Sequence, residues 1–445
     1  MKMLNQEETK RICDKVLSLS KGDQCEVKVT GSRTGNIRYA RNAVSTSGLI
    51  DDVQLAVSVA FGKKQGVATI NQFDDKSLEA VVRRAEELAR LAPENPEFMP
   101  SPSNQVYKPS ATFSKSTADI DPEFRAQVAA YSIENSKKNK LVAAGFFNDS
   151  TSFEAIANSN GVFGHQMQTA SDFTITVRTE DGRGSGWARR DAGDIGKFDA
   201  REASDVAIEK ALRSVDAKAL EPGRYTVILE PAASADLMAY MFNGFDARSA
   251  DEGRSFLSKK GGGNRMGEKL FDEQVNIWAD PWNKDVPVLP WDSNTMQARE
   301  HTEIIKNGKV SALDYSLYWA KKMNQRPVGS PGNIIMAGTD KSTAELIANT
   351  KKGVLVTRTW YIRMVDPQSV LLTGLTRDGT FYIENGKIKH PIKNFRFNES
   401  PVAMLNNIDE LGRPEILAGD ESQYQQLIPS MRVRDFNFTS LSDAV

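Results

Sequence analysis

Apolar residues recur at helical spacing from Glu7 to Leu19, where Ile12, Cys13, Val16 and Leu17 share one face, so an amphipathic helix is expected to open the chain. Cys25–Glu26–Val27–Lys28–Val29 then alternates as a half-buried strand does, and Gly31–Ser32–Arg33–Thr34–Gly35 reads as a turn after it. A second alternating run, Val53, Leu55, Val57, Val59 and Phe61, meets Gly62–Lys63–Lys64–Gln65–Gly66 and continues into Val67–Ala68–Thr69–Ile70, which predicts a hairpin. From Lys76 to Leu91 the helical period returns, with Leu78, Val81, Val82, Ala85 and Leu88 on one face.

Pro93, Pro96, Pro100, Pro102 and Pro109 interrupt the pattern and predict a linker or a long surface connection. Asp121–Pro122 is a helix start, with an N-cap followed by proline at the first helical position, and its helix is expected to reach about Asn139. Strands are expected at Leu141–Phe147 and Phe173–Val177, a turn at Asp181–Gly182 and a helix at Ala200–Arg213. The repeated order of helix, strands and helix hints at a duplication. After Pro222–Gly223, the run Tyr225–Leu229 suits a buried strand and the segment from Glu230 to Gly244 suits a helix behind it. Beyond residue 270 short strands dominate, and Thr380–Ile388 is a hairpin signal around Asn385–Gly386.

The expected architecture is therefore α+β: an N-terminal antiparallel sheet with helices (1–92), a proline-rich linker (93–118), a second α+β unit (119–220) and a β-rich C-terminal domain (221–445). A chain of 445 residues is too long for one ordinary core. Lys+Arg 57 against Asp+Glu 58 leaves a net charge of −1, so no overall field attracts nucleic acid or an anionic membrane surface. The N-terminus shows no secretory apolar region, and no apolar run is long enough to span a bilayer. Two cysteines, Cys13 and Cys25, make no disulfide framework and point to a cytoplasmic protein.

Candidate chemistry is sparse. His165, His301 and His390 lie far apart, with no paired-histidine helix, so each reads as a surface or core residue. Gly184–Ser185–Gly186 and Gly329–Ser330–Pro331 are turns without a nucleophile elbow. The glycine-rich stretch Gly261–Lys269 lacks the phosphate-loop pattern, since Glu268 precedes Lys269 and Leu270 stands where Ser or Thr would bind magnesium. Asp246, Asp251 and Glu252, interleaved with Arg248 and Arg254, are weighed as an acid/base set against mutual salt bridging, which is the favoured reading. Arg358, Arg363 and Arg377 sit among Trp360, Tyr361 and Phe381 and are candidates for peptide contact.

Arg38–Tyr39–Ala40–Arg41–Asn42 before the Val53–Ile70 hairpin, the Ala85–Arg90 helix, Glu221–Pro222–Gly223, Asp251–Leu257, Asp280–Pro281 and the Phe381–Ile388 hairpin resemble, in order and spacing, the TldD/PmbA (TldD/TldE) family over nearly the whole chain. The resemblance implies a cytoplasmic zinc-dependent peptidase built of two subunits, in a family also described as modulators of DNA gyrase. One subunit type carries HExxxH on a central helix and a cysteine ligand near its C-terminus, and the other keeps the fold without the ligands. Carried over, the first histidine falls near Met238, the glutamate near Ala239 and the second histidine near Asn243. No histidine stands between His165 and His301, and no cysteine follows Cys25. Met238, Ala239 and Asn243 are thus read as a degenerate metal site. The chain itself is expected to have no catalytic residue, metal ligand or cofactor, with zinc in a partner subunit bearing HExxxH. The alternative is a stand-alone peptide-binding or scaffold protein, a homodimer without hydrolytic activity.

Overall fold

Asn5 and Glu8 start the first helix, α1 (Gln6–Leu19), through a capping box: each backbone N–H donates to the other's side chain at 2.9 Å. The protein is seen in a computed structural model that describes residues 3–418 and 424–442. After α1 come β1 (Gln24–Ala40), β2 (Ala43–Phe61), β3 (Lys64–Ile70) and α2 (Asp75–Leu91). A short α3 (Lys115–Ala118) precedes a second set: α4 (Pro122–Lys138), β4 (Leu141–Asn158), β5 (Phe163–Thr179), β6 (Ser185–Ala192) and α5 (Ala200–Arg213). All six strands form one antiparallel sheet in the order β3-β2-β1-β4-β5-β6. The two α+β stretches therefore share a sheet, joined at its centre by β1 and β4. Each half supplies a helix, three strands and a helix in that order.

Odd-numbered residues of β1 face the helices along its length. Cys25, Val27 and Val29 pack with α1 and α2, while Ile37 and Tyr39 pack with α4 and α5. Gly31–Gly35 is not the expected turn but the middle of β1, paired on both sides. Its glycines make room: a Cβ on Gly31 would lie 2.3 Å from the Phe153 ring, and one on Gly35 would lie 1.8 Å from the Arg125 guanidinium. The chain turns instead at Arg41–Asn42, both left-handed with φ of 51° and 57°, as a two-residue hairpin of the primed kind requires. Beside Gly35, Arg125 of α4 and Asp149 of β4 form a bidentate pair at 2.6 and 3.0 Å, with both side chains buried.

Residues 93–114 carry no helix or strand, yet side chains pin them between the first sheet and the C-terminal region. Ser101 Oγ donates to Glu26, Asn158 donates to the Pro102 carbonyl, Tyr107 OH donates to the Met296 carbonyl and Ser110 Oγ donates to the Pro281 carbonyl.

The C-terminal region contains β7 (Gly223–Leu229), α6 (Pro231–Phe242), α7 (Ala247–Asp251), β8 (Ile277–Ala279), β9 (Thr302–Lys306), β10 (Lys309–Val310), α8 (Leu317–Met323), β11 (Asn333–Met336), α9 (Thr343–Ala348) and β12 (Lys352–Asp366). It continues with β13 (Leu371–Glu384), β14 (Lys387–Pro391), β15 (Phe395–Glu399), α10 (Pro401–Asn406), β16 (Ile408–Ala418) and β17 (Gln425–Leu441). The sheet order is β10-β9-β8-β11-β17-β15-β13-β12-β7, with β14 on β13 and β16 on β17. Because β7 also pairs with β17, the strands β7, β12, β13, β15 and β17 close a ring. The fold is α+β, as the pattern predicts. Among the described residues no helix is long and apolar enough to cross a membrane.

Candidate functional site

Glu230 ends β7 and Pro231 fixes the first turn of α6. The helix is apolar nearly all round, as a helix buried on every side must be, and it packs against β12 and β17. Met238 is fully buried within the main C-terminal core and Ala239 is 8% exposed, while Asn243 is exposed at the helix end, where one 3₁₀ turn follows. The three positions do not converge. Met238 is packed with Leu237, Met241 and other core residues, Ala239 has no donor atom, and Asn243 faces away from them. This donor set does not fit a zinc ion, which needs imidazole, thiolate or carboxylate ligands brought together. Among the described residues no group of three His, Cys, Asp or Glu side chains is placed to hold a metal.

The histidines are dispersed as their spacing implies. His165 stacks on Phe153 with ring centroids 5.7 Å apart, and burial holds its pKa below the usual value. His301 is exposed beside Glu303, and His390 stacks on Tyr382. Burial pushes the Cys13 thiol up to about 12 and the Cys25 thiol up to about 11, so neither is a ready nucleophile.

The acidic trio is engaged in structure. Asp246 caps α7 by accepting from the Ser249 N–H at 2.7 Å. Asp251 accepts from Asn264 and from the Trp319 indole, both at 2.7 Å. Glu252 pairs with Arg254 and Arg248, whose hydrogen bonds hold its carboxyl below the usual range. Glu268 of the glycine-rich stretch is likewise tied to Arg265 and Lys259.

Two of the three singled-out arginines meet. Arg358 and Arg377 are cross-strand neighbours on β12 and β13. Arg358 lies between Trp187 and Trp360, 4.7 Å from each ring centroid, and Arg377 lies 4.8 Å from Trp360. Buried Asp378 stands among Arg358, Arg377 and Arg178 and accepts from Ser185 Oγ at 2.5 Å. This cluster joins the first sheet to the second. Arg363 stacks instead on exposed Tyr361, at 4.3 Å.

β7 pairs with β12 only at Val354, Leu355 and Val356. Beyond them the described residues pair β12 with β13 alone, leaving its other edge beside α6, where the Tyr240 hydroxyl donates to the Ile362 carbonyl. Trp360, Tyr361, Met364 and Val365 are exposed along this ledge. An open edge flanked by aromatic and cationic side chains can accept an extended peptide through main-chain hydrogen bonds.

Sequence reasoning missed a cavity of about 260 Å³ lined by Asp292, Arg299 and Asp314, among others. Its residues come from segments around 279–281, 292–304, 312–314 and 326–332, and no motif links them. Burial, then the charges of Asp246 and Asp292, pushes the Asp314 carboxyl up to about 7. The native state thus holds this proton where the unfolded chain has lost it, and stability contributed below pH 4 is lost as pH rises to about 7. Asp314→Asn should accordingly stabilise the protein at pH 8 relative to parent, by no more than about 4 kcal/mol, with little gain at pH 4. Urea denaturation at the two pH values checks this.

Compared with known proteins, residues 25–89 match PmbA/TldA metallopeptidase domain 1, residues 115–217 the central domain and residues 222–440 the C-terminal domain. A metalloprotease of Methanothermobacter thermautotrophicus is 26% identical over 290 residues, 59% of this chain and 61% of that protein, so the match spans less than two thirds of that relative. Metalloprotease PmbA of Escherichia coli O157:H7 is 21% identical over 97% of this chain and 98% of its own length. The crystal structure of TldE from Thermococcus kodakarensis superposes with a TM-score of 0.87 at 15% identity, over 97% of this chain and 99% of that one.

Proposed function

The chain belongs to the PmbA/TldA metallopeptidase family, and from that premise we propose that it is the non-metal-binding subunit of a TldD/TldE-like cytoplasmic peptidase. The observation that carries this reading is that Met238 of α6 is fully buried in the core, which supports the assignment, made by family resemblance, of its position to a lost ligand. In this role the chain completes the chamber around a zinc site held by an HExxxH-bearing partner. The free edge of β12 receives extended peptides, with Trp360, Tyr361 and Arg363 along it and the Arg358–Arg377 cluster bracing its base. Buried, unbridged thiols suit the reducing compartment this proposal assigns.

The test is to purify the chain alone and together with an HExxxH-bearing partner, and to measure zinc content and peptide cleavage in each. Cleavage is expected only in the mixture, with zinc in the partner. Trp360→Ala should weaken peptide binding to the assembly by about 1 kcal/mol or more, in line with loss of an aromatic contact, without lowering the assembly's zinc content. Zinc-dependent cleavage by the chain alone would overturn the proposal.

A further inference from the structure

The cavity between β8, β9 and the loops at 292–301 and 326–332 is set apart from α6 and the β12 ledge by the residues that line it. Two of its polar groups lack partners among the described residues. The Asp314 carboxylate makes no hydrogen bond or ion pair among the described residues, while its backbone is tied to Phe245 and Ala247. The Arg299 Nε is buried without a hydrogen-bond partner among the described residues; its other nitrogens reach the Leu289 carbonyl and, at 3.9 Å, Asp292. The buried Arg299 Nε left unmatched costs free energy that a complementary ligand would return, and the half-buried Asp314 carboxylate lines the same cavity with no competing bond to give up. Asp292 is 7% exposed; its Oδ1 accepts from the backbone of Asn294 and Thr295, which fixes the loop in place. The rim charges are already matched, Glu300 with Arg326 and Glu303 with Lys306 and His301. Ala279, Ile304, Val328 and Pro331 give the remaining wall an apolar character.

From this arrangement we infer that the cavity is a binding site for the α-ammonium end of an amino acid or short peptide, with Asp314 receiving the ammonium and Arg299 the adjacent carbonyl or carboxylate oxygen. The unfavourable company that Asp314 keeps with Asp246 and Asp292 supports a cationic ligand, because a cation relieves the repulsion that an anion would increase. The volume is below the roughly 300–1,000 Å³ of pockets for drug-sized ligands and suits one or two residues with a small apolar side chain. The inference does not depend on a zinc-bearing partner and is tested on the chain alone.

Calorimetric titration with L-leucine, L-leucyl-L-alanine and N-acetyl-L-leucine amide separates the sources. Saturable binding of leucine identifies a free amino acid, and binding of the dipeptide alone identifies a peptide N-terminus; either supports the site. The acetylated probe, which has no ammonium, should bind at least about tenfold more weakly, as should the better ligand to Asp314→Asn, on the strength of a charge-assisted hydrogen bond. Asp314→Asn is expected to be as stable as parent or more so, so its loss of binding would not reflect unfolding. Equal binding of the acetylated probe, undiminished binding by Asp314→Asn, or no binding of either free-amine ligand tighter than about 10 mM would overturn the assignment.

Discussion

Writing the catalytic pattern into α6 by combining Met238→His, Ala239→Glu and Asn243→His will produce a less stable protein that still holds no stoichiometric zinc. Met238 is fully buried, so an imidazole there loses the thioether's packing and must bury polar nitrogens, a change worth about 2–5 kcal/mol. The glutamate at 239 would enter a position only 8% exposed, adding desolvation. Positions five apart on a regular helix are about 140° apart around its axis, and here position 243 already points to solvent while 238 points inward. Nor does the sequence hold a cysteine after Cys25 to supply a third ligand. Metal analysis after dialysis and a urea titration check the two halves of this expectation. One tightly held zinc per chain would show that α6 is a metal site missing only its ligands, contrary to its reading as core.

Arg125→Ala is expected to cost about 3–5 kcal/mol, the range for stripping one partner from a buried ion pair. Asp149 would remain in the middle of β4, opposite Gly35, without the bidentate guanidinium that neutralises it. Arg125→Met combined with Asp149→Leu should recover much of the loss, since replacing both charges removes the unpaired one. Denaturation midpoints of the single and double variants measure the difference. A single variant as stable as parent would mean that water reaches Asp149 despite its burial.

Local signals in the chain were legible where chemistry is local. Asp121–Pro122 does start α4, and the expected helix at Ala200–Arg213 matches α5 at both ends. The strand before α6 and the hairpin at Asn385–Gly386 are where the apolar run and the turn residues put them. Gly31 and Gly35 misled because glycine serves both bends and close approaches, and only the opposing Phe153 and Arg125 tell which. That β1 pairs with β4, uniting two apparent units in one sheet, has no local signature. At the candidate site, the apolar character of the segment at 230–244 was visible in composition alone. Arg358 and Arg377 read as basic residues among aromatics, whereas in three dimensions they surround Asp378. The Asp314 cavity was invisible because four distant loops build it.

The closure of the ring by β17 has a consequence for synthesis. Val227 and Tyr225 find their partners Val433 and Phe436 only after the long stretch of chain between them has been synthesised. Contacts of such long sequence separation form slowly, so the C-terminal strands wait unpaired, with apolar surface open to aggregation, while the N-terminal sheet can already assemble. A stop codon shortly before residue 425 would thus remove β17 and leave the ring of strands open for the life of the product.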